Sequence, residues 1–158
     1  MHSIARTCNV PGFLFDTNVW LAVTFPKHPF YSRAQQALMQ CTVAQPATWC
    51  RATEQSFLRL ASTASVQRTY DALGQTNRTV WLARDALQAL PQVAWRDEPP
   101  GLVAQWRTLS ALDSASPKVW MDAYLAAFAI AARQRLVTLD RDFKNFVPQG
   151  LDLDLLNP

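Results

Sequence analysis

Short apolar runs alternate along the chain with longer stretches whose apolar residues recur every three or four positions. Phe13, Leu14 and Phe15 form the first run, which Asp16 stops, and it predicts a short buried strand. "NVWLAVTF" then reads as a helix up to Pro26. "PFYSRAQQALMQ" reads as a second helix, with Phe30, Ala34, Ala37 and Leu38 on one stripe. "CTVA" predicts a weak strand, and Pro46 suits the first turn of a helix through about Ser62. Residues 64–90 read as one or two helices punctuated by Gly74 and Asn77. "QVAWRD" predicts a strand, "EPPG" breaks the chain, and "LVAQWRTLSAL" is helical. The loop "DSASP" leads into a helix from Pro117 to about Gln134, and "RLVTLD" and "LDLDLL" complete the strands.

Strands separated by helices favour an α/β fold, a parallel sheet covered on both faces. Ligands of such folds bind at the carboxyl ends of the strands. Asp16 ends the first strand and Asp140 ends "RLVTLD", so both carboxylates belong on one rim. At 158 residues the chain fits a single domain, with its core over about residues 12–155.

Composition narrows the chemistry. A hydrophobic fraction of 49% with 17% charged residues is globular, not disordered. The net charge is +3, and 12 of the 15 basic residues are arginine, which suits phosphate contacts. Cys8, Cys41 and Cys50 form no CxxC pair and are odd in number, which argues against a disulfide framework or a zinc site and points to a reducing compartment, the cytoplasm. His2 and His28 lack ligand spacing, and His28 in "KHPF" is assigned no catalytic role. No apolar run is long enough to span a membrane, and "MHSIARTCNVPG" lacks the apolar core of a signal peptide.

Two further acids sit where water-facing residues are not expected. Asp122 shares a helix face with Leu125, Ala126 and Ala129, and Glu54 shares one with Cys50, Phe57, Leu58 and Ala61. Each of the four acids has a plain structural explanation. Asp16 can cap the next helix, Asp122 can favour its helix dipole, Glu54 can pair with Arg51 or Arg59, and Asp140 can begin an Asx turn. Together they favour one shared cause. Carboxylates that converge repel one another unless a cation sits among them, and oxygen-only ligands suit Mg²⁺ or Mn²⁺. Beside arginines, such a cluster suggests metal-assisted phosphodiester hydrolysis.

"FDTNVWLA", "TWCRATEQSFLRL", "VWMDAYLAAFAIA" and "RLVTLDRDF" occur in the order and with the spacing of the PIN-domain family, and the chain resembles its VapC toxins from Phe13 to about Leu155. The resemblance implies a three-layer α/β/α domain with a mainly parallel sheet of four to five strands. It implies an endoribonuclease toxin that uses Mg²⁺ or Mn²⁺ and cuts a structured RNA such as tRNA or rRNA. By the same resemblance Asp16, Glu54, Asp122 and Asp140 are the catalytic and metal-binding quartet, with Asp142 as a fifth candidate. Asn18 and Thr138 would support the ligands by hydrogen bonds. A cognate antitoxin would keep the enzyme silent, and the toxin would pair as a homodimer. Trp20, Phe25, Phe30 and Tyr31 could line the antitoxin contact, although Trp20 reads better as core. Arg51, Arg133, Arg135, Arg141 and Lys144 neighbour the acids in sequence and are the candidates for the RNA backbone.

Two other enzyme classes fit poorly. A haloacid dehalogenase-like phosphatase needs a second Asp where Asn18 stands. A phosphoacceptor receiver domain needs an acidic pair and a later lysine, neither of which is evident. The non-enzyme alternative is a PIN-like module that binds nucleic acid or a partner without cutting.

Overall fold

A computed structural model describes residues 12–157. His2 and Cys8 lie outside the described residues. Among the described residues five short strands form one sheet: β1 (Phe13–Phe15), β2 (Ala47–Trp49), β3 (Val93–Trp95), β4 (Arg135–Thr138) and β5 (Leu153–Leu155). The spatial order is β3-β2-β1-β4-β5, and every pairing is parallel. The described residues also form the α-helices α1 (Thr17–Thr24), α2 (Tyr31–Met39), α3 (Arg51–Ala61), α4 (Ala64–Thr69), α5 (Asn77–Gln88), α6 (Leu102–Ser110) and α7 (Val119–Ala132). A 3-10 helix covers Arg141–Gln149.

The three layers follow from the two-residue period of the strands. Phe15, Trp49 and Val137 point into a core formed with α1, α2, α3 and α5. Leu14 and Leu136 point the other way, into a core formed with α6, α7 and the 3-10 helix. Helix α7 is apolar on nearly every side after its first turn, as expected for an element packed both on the sheet and on α6. Trp20 stacks on Trp49 at 3.9 Å between ring centroids, which ties α1 to β2. The sheet begins at a tight approach. Gly12 has φ +93°, and a Cβ there would lie 2.5 Å from the Pro46 carbonyl oxygen, so only glycine fits beside β2.

The weak strand expected at "CTVA" is not formed, and β2 lies downstream at Ala47–Trp49, where a helix was expected to begin. Pro46 stands just before the strand, where its missing N–H costs no ladder bond, and α3 starts only at Arg51. Pairing with β1 on one side and β3 on the other decides this segment. Trp20 and Phe25 are buried in the core and cannot line a partner surface. Phe30 and Tyr31 are half-buried.

Candidate active site

Because all strands run the same way, their carboxyl ends form one rim. Read from β3 to β4, that rim carries Trp95, Trp49, Asp16 and, two residues past β4, Asp140. Asp16 ends β1 and caps α1. Its Oδ1 accepts the Thr17 N–H at 2.7 Å and its Oδ2 accepts the Thr138 hydroxyl at 2.7 Å. Thr138 ends β4, and its oxygen in turn accepts the Asp140 N–H at 3.0 Å and the Asn18 Nδ2 at 3.3 Å. The Leu139 N–H donates to Asn18 Oδ1 at 3.2 Å. Asn18 and Thr138 thus stitch the end of β4 to the start of α1 and hold Asp16 in one orientation.

Asp140 caps the 3-10 helix by accepting the Asp142 N–H at 2.9 Å, which is the Asx turn its sequence position allows. Asp122 lies in the first turn of α7 and is half-buried. Helix α7 runs down the sheet and returns through β4, so its amino end stands at the strands' carboxyl ends. Burial pushes the Asp16 carboxyl up to about 6, against the lowering pull of the Thr138 and Thr17 hydrogen bonds, and the charges of Asp122 and Asp140 raise it further. Burial also raises Asp122, with added repulsion from Asp140 and Asp142. Asp16 thus feels Asp122 and Asp140, and Asp122 feels Asp140 and Asp142, while among the described residues no Lys, Arg or His pairs with any of the four. Asp122 and Asp142 both line an open cleft of about 390 Å³, rimmed also by Ser116 of the "DSASP" loop and by Lys118. Lys118 and this cleft escaped the sequence reading, since nothing in the spacing of a lone exposed lysine marks it.

Glu54 stands apart from the aspartates in its partners. It is buried on α3, as its apolar stripe predicts, and both its oxygens are engaged. Arg51 Nη1 lies 2.5 Å from Oε1, and Arg84 reaches Oε2 with Nε at 2.8 Å and Nη2 at 2.6 Å. The pairing with Arg51 was foreseeable, whereas the second partner is Arg84 on α5 and not Arg59. Of the proposed RNA contacts, Arg51, Arg141 and Lys144 are exposed on elements that begin at the rim. Arg133 and Arg135 are not at the rim. Arg133 caps the far end of α7 and Arg135 opens β4, so both lie at the amino end of the sheet, where Arg135 pairs with Asp152 at 3.0 Å. Adjacency in sequence misled here because a helix and a strand each carry the chain from one end of the domain to the other.

All the rim donors are carboxylate oxygens, the set preferred by hard divalent cations, and their mutual repulsion is what such an ion relieves. The donor chemistry of Asp16, Asp122, Asp140 and Asp142 fits Mg²⁺ or Mn²⁺. Among the described residues, no three acidic, His or Cys side chains close on one point.

The PIN domain family model matches residues 13–147. The chain is 42% identical over 146 residues to Ribonuclease VapC41 of Mycobacterium tuberculosis, in strains CDC 1551 / Oshkosh and ATCC 25618 / H37Rv alike, covering 90% of this chain and 97% of the relative. The crystal structure of VapBC2 from Rickettsia felis bound to a DNA fragment from their promoter superposes with a TM-score of 0.59. That match covers 92% of this chain and 98% of the other at 16% identity, a likeness of fold. With its five-stranded parallel sheet and aspartates gathered at the strand ends, the chain belongs to the PIN-domain family and groups with its VapC-type members.

Proposed function

We propose that this protein is a divalent-metal-dependent endoribonuclease toxin that cuts a structured RNA and is silenced by a cognate antitoxin. The observation that carries the reading is the group of rim aspartates, which among the described residues have no cationic side-chain partner, with Asp16 and Asp122 raised by burial and by like charge nearby. Buried carboxylates that face like charge cost stability, and groups perturbed in this way cluster at functional sites. The relative that shares 42% identity is a ribonuclease, which supports RNA as the substrate. The VapBC2 structure supports a partner antitoxin, and pairing as a homodimer follows from the same family.

Asp16 and Asp122 would hold the ion, with Asp140 and Asp142 beside them. The ion would supply Lewis-acid activation of the phosphoryl group and a more acidic bound water. The chain's own groups do the positioning. Thr138 and Asn18 fix Asp16 through hydrogen bonds, and the Asp142 N–H fixes Asp140. Asp142 is exposed on the cleft and can accept a proton from an attacking water. Lys118 on the cleft rim, with Arg141 and Lys144 on the 3-10 helix, offers charge to the RNA backbone.

The test is RNA cleavage with and without Mg²⁺ or Mn²⁺, comparing wild type with Asp16→Asn. Metal-dependent cutting that the variant lacks supports the nuclease. RNA binding without cutting in either protein sinks it and leaves the non-catalytic module, a reading that the neutralised Glu54 would then favour. In cells, expression should arrest growth and Asp122→Ala should relieve the arrest.

A further inference from the structure

Next to the aspartates, the rim over β2 and β3 carries a second built arrangement. Trp49 and Trp95 end these two strands and sit side by side in register. The Arg84 guanidinium lies 6.0 Å from the Trp49 ring centroid and 5.8 Å from that of Trp95, and the Arg51 guanidinium lies 4.6 Å from Trp95. Glu54 binds both guanidinium groups, one on each oxygen. The side chains of Glu54 and Arg84 are 4% and 14% exposed, but that of Arg51 is 65% exposed. Arg84 also has the exposed Asp85 carboxylate 3.5 Å away, so of the two guanidinium groups it is Arg51 that meets solvent with only Glu54 as its acidic partner.

The two arrangements are neighbours. Cys50, which caps α3 one residue before Arg51, feels the charge of Asp16. Strands β2 and β1 are adjacent, about 4.8 Å apart as in any sheet. A polyanion crossing the strand ends thus meets a fixed cation immediately before it meets the aspartates. For Glu54 to ligate a metal, it would have to release at least one of two charge-assisted contacts and bring a cation toward two others.

We propose that Glu54 is a positioning residue and not a metal ligand: it locks Arg51 and Arg84 against Trp49 and Trp95, so that Arg51 grips a backbone phosphate of the RNA beside the aspartates. The proposal rests on the nuclease reading above. Arg84 acts through Glu54, since it is itself largely covered. Held by the carboxylate and the indole, Arg51 binds phosphate without first having to be immobilised.

Two measurements test this. Mn²⁺ binding, titrated on the full chain without RNA, should stay within about twofold of wild type in Glu54→Gln and fall at least tenfold in Asp122→Asn. Binding of an RNA oligonucleotide in EDTA, measured against salt concentration, should weaken in Arg51→Ala and lose about one unit of salt slope. Cleavage by Glu54→Gln should show a raised KM with kcat changed much less. Should Glu54→Gln fold poorly, Arg84→Lys keeps the charge but loses the two-point contact, and it should raise KM while leaving Mn²⁺ affinity intact. Glu54→Gln losing Mn²⁺ as severely as Asp122→Asn would overturn the proposal, as would an Arg51→Ala protein with unchanged RNA affinity and salt slope. Failure of the nuclease reading looks different: wild type itself would not cut.

Discussion

Over β3 and β2 the buried carboxylate of the rim is matched by cations, and over β1 and β4 it is not. Glu54 is buried, yet its charge is met by Arg51 and Arg84. Asp16 is buried too and is met only by neutral donors, the Thr17 N–H and the Thr138 hydroxyl, while Asp122 and Asp140 press on it with like charge. A buried carboxylate with cationic partners is a structural part. One that lacks them in the company of other acids is poised to receive a cation from outside. Burial alone does not separate the two cases, so the partners have to be counted.

The strongest way to break this comparison is to remove an unpartnered acid. Asp16→Asn and Asp122→Ala should each lower RNA cleavage by more than ~100-fold, the upper end for residues that only support metal ligands. Assays across a range of metal concentrations check this, and residual activity near wild type would place the chemistry elsewhere. Next in size is Thr138→Val, which removes the hydroxyl that donates to Asp16 and accepts from Asn18 and Asp140. Activity should fall by ~10–100-fold, and denaturant melts should show a loss of about 1–3 kcal/mol from the donors and acceptors left unmet.

A third prediction uses acidity. The Asp16 carboxyl is raised from 3.8 to about 6 in the folded protein, so between these values the folded state binds a proton that the unfolded state does not. Its charge therefore weakens the metal-free fold fully above pH 6, and the penalty fades as pH falls toward 3.8. Acidifying from pH 7 to pH 5 in EDTA should recover about 1 kcal/mol from this group, out of roughly 3 in all. Urea melts of wild type and Asp16→Asn at both pH values isolate it. The variant should be the more stable at pH 7, and the gap should narrow at pH 5. Metal binding has the opposite dependence, weakening on acidification as protons compete for the ligands.

The smallest effect is expected at the other end of the sheet. Arg135→Ala breaks an exposed pair with Asp152 and should change stability by less than about 1 kcal/mol and cleavage not at all. A large loss of RNA affinity in this variant would mean that the substrate wraps the whole domain.

Much of this was legible before any coordinates. The alternation of strand and helix, the apolar α7, and the placement of Asp16 and Asp140 on one rim follow from periodicity and from the rule that a parallel sheet gathers its carboxyl ends. Asn18 and Thr138, expected to support the proposed ligands, bond the end of β4 to Asp16 and the start of α1. Other features were not legible. "ATW" at Ala47–Trp49 is too short to declare itself a strand, and its partners on both sides make it one. Arg133 and Arg135 looked close to the acids because sequence distance ignores the direction in which an element runs.

The sequence by itself determined that four isolated acids sit on apolar faces or strand ends, because the helical period of about 3.6 residues and the strand period of two assign each side chain to a face without reference to the rest of the molecule. Only the tertiary structure decided which acids stay unpaired. Glu54 is neutralised by Arg84 from 30 residues further along the chain, and Asp16 is held by Thr138 from 122 residues further. Charge pairing acts through space over a few ångströms, and which groups come that close is set by how the layers pack and not by their order along the chain.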